Sequence, residues 1–111
     1  MPKVAQTIRR KAITTILHKG NTYKTQYLSL VLHLSPENKQ SSFSFVVSKK
    51  VEKSAVIRNT LKRRGRHIVR ELHTIKPFSA VFFMKKGISE LSFSELKNNI
   101  TQLLKKGRVL S

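Results

Sequence analysis

The chain has no cysteine and no aspartate, and its acidic residues amount to five glutamates, Glu37, Glu52, Glu71, Glu90 and Glu95, set against 23 lysines and arginines. Without cysteine there can be no disulfide and no thiolate metal site, which fits a reducing compartment, with the cytoplasm as the expected location. The glutamates are scattered singly, so no carboxylate pair of the kind used for general acid/base work or metal-assisted hydrolysis is visible. His18, His33, His67 and His73 do not fall at the H-x-x-x-H or H-E-x-x-H spacing of a metal site. Ser48, beside Lys49 and Lys50, has no evident base partner. No run approaches the ~20 apolar residues of a membrane span, and the basic N-terminus lacks the apolar centre of an export signal. A soluble protein with no membrane association is expected.

What is present is charge of one sign on a chain able to fold. At 111 residues and 39% apolar composition the sequence is expected to form one domain, residues 1–111, burying roughly 60–70% of the surface of its unfolded form. A net charge of +18 is a severe self-repulsion for so small a body. A polyanionic partner would relieve it.

Periodicity divides the chain into elements. Ile8, Ala12, Ile13, Ile16 and Leu17 recur at helical spacing over residues 7–19, with Gly20-Asn21 as the stop. In "YKTQYLSLVLHL" Leu28, Leu30, Leu32 and Leu34 alternate with Tyr27, Ser29, Val31 and His33, which predicts a strand covered on one face, with a break dividing the long strand in two. A turn over residues 35–42 leads to "FSFVVSKK", a second strand expected to pair antiparallel with the first. Residues 54–73 read as a helix, Lys76-Pro77 as a break and 78–86 as a buried strand. Ser92 and Glu95 form a capping box, with Leu91 and Leu96 placed as a hydrophobic staple. In the helix that follows, Phe93, Leu96, Ile100, Leu103 and Leu104 are expected to face inward, and Gly107 to end it. The order α-β-β(-β)-α-β-α predicts an α+β fold, a single-domain α/β sandwich without internal repeats. The six phenylalanines sit mostly at core positions, whereas Tyr23 and Tyr27 suit either half-core positions or stacking platforms.

The helix over residues 54–73 carries the strongest signal. At about 100° per residue, Ile57, Leu61, Ile68, Val69 and Leu72 gather on one third of the circumference. Asn59, Lys62, Arg63, Arg66 and Arg70 fill the neighbouring arc, with Arg58 on the boundary between the two faces. An ordinary solvated face mixes signs. This one places like charges at i, i+4 in Arg58, Lys62, Arg66 and Arg70, each pair costing a few tenths of a kcal/mol. Phosphates reward such an arrangement through counterion release, and arginine offers them paired hydrogen bonds as well as stacking on bases. Nucleic acid is therefore the expected partner, RNA with its splayed bases more than duplex DNA.

The run "FVVSKKVEKSAVIRNTLKRRGRHIVRE" resembles the signature of the bacterial ribonuclease P protein subunit, a strand ending in SKK followed by a helix bearing R-N-R-x-x-K-R-x-x-R. Arg58, Asn59, Lys62, Arg63 and Arg66 match that motif, and Thr60 stands where the family has its second arginine. The resemblance implies a subunit without chemistry of its own. It assigns Arg58, Asn59, Lys62, Arg63, Arg64, Arg66 and Arg70 to ribonuclease P RNA, the catalytic component. Ile13, Leu17, Tyr27, Lys49 and Lys50 are assigned to a cleft for the 5′ leader of precursor tRNA, Ile13 and Leu17 standing where the family commonly has aromatics. It implies Mg2+ bound mainly by the RNA, with protein metal positions unknown, and no required protein partner. It also implies parallel strands joined through the basic helix by a left-handed crossover, against the usual preference. A structural ribosomal protein shares the size, the charge and the lack of catalytic groups, and is the rival reading.

Overall fold

The leucines that alternate through residues 28–32 form the strand against which both layers of the molecule pack. In the computed structural model, residues 6–7, 10–34, 41–74 and 76–110 are described, with side chains from residue 15 onward. The elements are β1 (Gln6–Thr7), α1 (Arg10–Lys19), β2 (Asn21–Lys24), β3 (Leu28–His33), β4 (Ser42–Val46), α2 (Ala55–Glu71), β5 (Ser79–Met84), a 3-10 turn (Ile88–Glu90) and α3 (Phe93–Lys106). This is the mixed α+β architecture expected, with a four-stranded sheet of β2 to β5 extended by the two-residue β1. The long first strand is indeed divided: β2 and β3 form an antiparallel hairpin with Tyr23 opposite Leu30.

The sheet order is β1-β4-β5-β3-β2. The antiparallel pairing expected between the strands now labelled β3 and β4 is therefore not made. β5 lies between them, antiparallel to β3 and parallel to β4. The reason is in the composition of β5, where Ala80, Val81, Phe82 and Met84 are all buried. A nearly continuous apolar run needs cover on both faces and so takes the middle of the sheet. α2 joins β4 to its parallel neighbour β5, so that parallel strands are connected through the basic helix.

The first helix begins at Arg10, not at residue 7, because Gln6 and Thr7 pair parallel with Ser42 and Phe43. Ile8, residues 35–40 of the expected turn and the side chains of Ala12 and Ile13 lie outside the described residues. β3 also departs from its one-faced reading. Leu28, Leu30 and Leu32 join the main core, while Val31, only 8% exposed, is buried with Ile16 of α1 and Val81 on the opposite face.

Two layers of unequal depth result. Beneath α2 and α3 lies the large cluster, in which Phe45 stacks on Phe82 with ring centroids 4.5 Å apart and meets Phe43 edge-on at 6.0 Å. α2 can approach this stack because Gly65 has no side chain: a Cβ there would stand 2.6 Å from Phe45 Cε1. Beneath α1, among the described residues, lie Ile16, Val31 and Val81, with Val46 and Phe83 partly buried at their margin.

Helix ends follow the sequence signals closely. Ser54 caps α2 by accepting from the Ile57 N–H at 3.3 Å. The capping box of α3 is complete, with Glu95 N–H donating to Ser92 Oγ at 3.2 Å and Ser92 N–H to Glu95 Oε1 at 2.9 Å. These bonds, first the one from the Ser92 backbone, hold the Glu95 carboxyl below its ordinary value. Leu91 packs on the main cluster that contains Leu96, as a staple should. At the far end Gly107 keeps right-handed backbone, and Arg108 is the residue that turns left-handed, at φ 61°. Gly107 is needed for space: a Cβ would collide with Leu32 Cδ2.

Candidate nucleic-acid interface

Along α2 the buried positions are Leu61, Gly65, Ile68 and Val69. Ile57, expected on that stripe, is exposed, since it lies in the first turn, and Leu72 is only half-buried. Asn59, Arg63, Arg64 and Arg70 are exposed, while Lys62, Arg66 and Arg58 are half-buried beside the stripe. The positions expected to be cationic thus form a continuous surface. Its one local carboxylate, Glu71, pairs with His67, Nε2 to Oε1 at 3.0 Å, and among the described residues no lysine or arginine pairs with an acid.

Several cations instead bind backbone oxygen. Arg58 Nη1 donates to the carbonyls of Glu52 and Lys53, each at 2.9 Å, tying the β4–α2 link to the first turn of the helix. A guanidinium has five N–H donors, so Arg58 keeps free donors and its full charge while also serving as a strut. Lys85 Nζ donates to the Thr25 carbonyl at 3.1 Å and Lys106 Nζ to that of Lys24 at 3.2 Å. Thr60, in place of the family's second arginine, turns its hydroxyl back to the Val56 carbonyl at 3.0 Å and supplies no charge. Arg64, one turn later and exposed, is the next cation along that line.

The residues assigned to a leader cleft are only partly brought together. Leu17 on α1 is 46% exposed, as an apolar wall would be. Ile13 is in α1, but its side chain is outside the described residues. Lys49 and Lys50 are exposed in the turn after β4. Tyr27 does not belong with them: it packs against the cluster beneath α2 and α3, on the face of the sheet opposite α1. Tyr27 lies in the bend between β2 and β3, outside the alternation of β3, and its ring lies against Gly87.

On the α1 side, strand alternation presents a different set. Val46 and Phe83 are opposite each other across β4 and β5, and Ser29 of β3 is opposite Phe83 on the other side. Ser44 lies opposite Val81 and Ser42 opposite Ser79, these two hydroxyls 3.2 Å apart. All but Val81 are half-buried. The result is a trough of small hydroxyls with one aromatic, Phe83, flanked by α1. Sequence reading missed these residues because the face a strand residue occupies depends on pairing, although period-2 alternation from Val81 identifies Phe83 once α1 is placed.

Among the described residues no three side chains of His, Cys, Asp or Glu converge to hold a metal ion. No helix of the described residues is long and apolar enough to cross a membrane.

Fold and surface define a small, strongly basic α+β protein with its cations sorted onto a crossover helix. Comparison with known proteins makes the class specific: the family profile described as Ribonuclease P matches residues 1–108. The chain belongs to the ribonuclease P protein family, whose members are the protein component of an endoribonuclease of tRNA processing, a name that implies an RNA partner in the holoenzyme. It is 32% identical to the ribonuclease P protein component of a Pseudanabaena species over 99% of this chain and 97% of that one. It is 31% identical to that of Rickettsia prowazekii over 86% and 88%. Among solved structures it is similar to the Staphylococcus aureus RNase P protein, at TM-score 0.84 and 20% identity over 98% of this chain and all of that one. It is also similar to the Thermotoga maritima protein, at TM-score 0.78 and 26% identity over 90% and 96%.

Proposed function

We propose that this chain docks ribonuclease P RNA on the cationic face of α2 and holds the 5′ leader of precursor tRNA in the trough between α1 and the sheet. The RNA carries out the hydrolysis that frees the mature 5′ end. The observation that carries this reading is the face of Arg58, Lys62, Arg63, Arg64, Arg66 and Arg70, unneutralised by carboxylates among the described residues apart from the His67–Glu71 pair. Phosphates are its natural complement, and six such contacts would give a slope of log affinity against log salt of roughly −4 to −5.

The protein's own contribution is positioning. Arg58 fixes the link after β4 to α2, so that Lys49 and Lys50 are presented at the end of the trough beyond Val46. Phe83 offers a base a stacking surface in that trough, a role for which Tyr27 was a candidate in the sequence. Magnesium held by the RNA would supply the Lewis acidity for activating water, and the protein's cations would lower the repulsion among phosphates that opposes its binding.

Reconstitution tests this directly. Purified protein should raise cleavage of precursor tRNA by ribonuclease P RNA at low magnesium, and should cleave nothing without that RNA. Absence of stimulation would favour a structural role on another RNA, and cleavage at the mature 5′ end by protein alone would overturn the ribozyme assignment.

A further inference from the structure

Phe93 is the first residue of α3 and part of its apolar pattern, yet its ring is 42% exposed. It stands instead beside His67 of α2, ring centroids 6.1 Å apart and planes inclined by 53°. His67 is itself exposed and is anchored by Glu71 at 3.0 Å. At one helical turn before and after His67 are Arg63, Arg64 and Arg70, and one turn after Phe93 is Lys97, all exposed. Two of the nearby carboxylates are engaged, Glu71 by His67 and Glu95 by the capping box, while Glu90 is exposed. On the helix circumference His67 lies about 40° beyond Arg63, so this aromatic pair continues the cationic face towards α3.

We infer that Phe93 and His67 form a stacking platform for an unpaired nucleobase of the bound RNA, the neighbouring arginines holding the phosphates on either side of it. An exposed aromatic pair on a neutral surface would suit a protein partner. Here the surrounding charge selects a polyanion, and the ring supplies what cations alone cannot, a flat apolar surface matched to a base face. The platform lies on the α2/α3 side of the sheet, apart from the α1 trough. It rests on the reading that the α2 face binds RNA, and predicts that the RNA segment on α2 includes a base that is not in a duplex.

The chain contains no tryptophan, so Phe93→Trp places a single reporter in the full-length protein. Its emission should be quenched by a short oligoadenylate and not by an abasic ribose-phosphate oligomer of equal length. Phe93→Ala should weaken oligoadenylate binding about 5- to 150-fold, the worth of one stacked base, while leaving the abasic oligomer and the salt slope unchanged. Unchanged tryptophan emission while oligoadenylate binds, or equal losses for both oligomers, would overturn the platform and leave the α2 interface standing. Failure of the wild-type protein to bind either oligomer would overturn that interface and the platform with it. A Phe93-dependent self-association without base quenching would assign the patch to a second copy of this chain instead.

Discussion

The two faces of the sheet use apolar surface differently. Under α2 and α3, stacked phenylalanines, the leucines of β3 and of both helices and a glycine pressed onto a ring close the layer to solvent. Under α1, among the described residues, Ile16, Val31 and Val81 are fully covered, while Val46 and Phe83 stay half open among serines. The first face contributes most of the stability. The second leaves aromatic and hydroxyl surface available to a ligand, which a small domain can do only if its opposite face is packed well enough to hold the fold.

The sharpest way to break this comparison is to truncate one ring on each face. Phe82→Ala should cost about 3–5 kcal/mol, a large part of a small domain's total. Phe83→Ala, next in sequence, should cost roughly 0.8–1.5 kcal/mol, half the transfer value of a fully buried ring without a cavity term, and should weaken single-stranded RNA binding. Urea denaturation and RNA titration of the two variants separate the roles; equal stability losses would mean that the α1 face is as closed as the other.

Gly65→Ala tests how tightly the closed face is packed. In an exposed helix this change gains about 1 kcal/mol. Here the added Cβ meets a ring already stacked on Phe82, and a loss of about 1–3 kcal/mol is expected. A gain would show that α2 can lift without penalty.

Smaller effects are expected on the cationic surface. Arg66→Ala should reduce the salt slope of RNA binding by somewhat under about one, with stability unchanged within about 0.5 kcal/mol. Arg58→Ala should lower the slope similarly and also cost about 1 kcal/mol, because two carbonyls of the β4–α2 link lose their donor. Identical stability for the two variants would remove the strut role of Arg58.

The smallest is at the start of α3. The folded-state pKa of Glu95 is depressed by its bonds to Ser92, so its stabilisation is present above the unfolded pKa and is lost as pH falls through the folded one. Glu95→Gln should therefore be slightly less stable than wild type at neutral pH, with the gap closing on acidification. A gap independent of pH would mean that the carboxylate's charge does not matter.

Much of this was legible in the residues. Helix ends were marked by local chemistry, as at Ser54 and Ser92, and the cations of α2 sorted themselves by angle alone. What misled were positions whose environment is supplied by distant chain. Phe93 fits the inward pattern of α3, but as the first residue of the helix its ring reaches past the core to His67. Tyr27 had two equally good readings until the β2–β3 hairpin placed it over the main cluster. The pairing of β3 with β4 was the reasonable guess from adjacency, and the apolar run of β5 displaced it.

By itself, then, the sequence determined the elements, their caps, the family motif and the charge of the surface, because each depends on spacing within a few residues. The tertiary structure alone decided the strand order, which side of the sheet was left half open, and that Phe83 lies in the trough while Phe93 stands among arginines. Those outcomes depend on which distant segments compete for the same buried surface, and that competition is settled only when the whole chain packs.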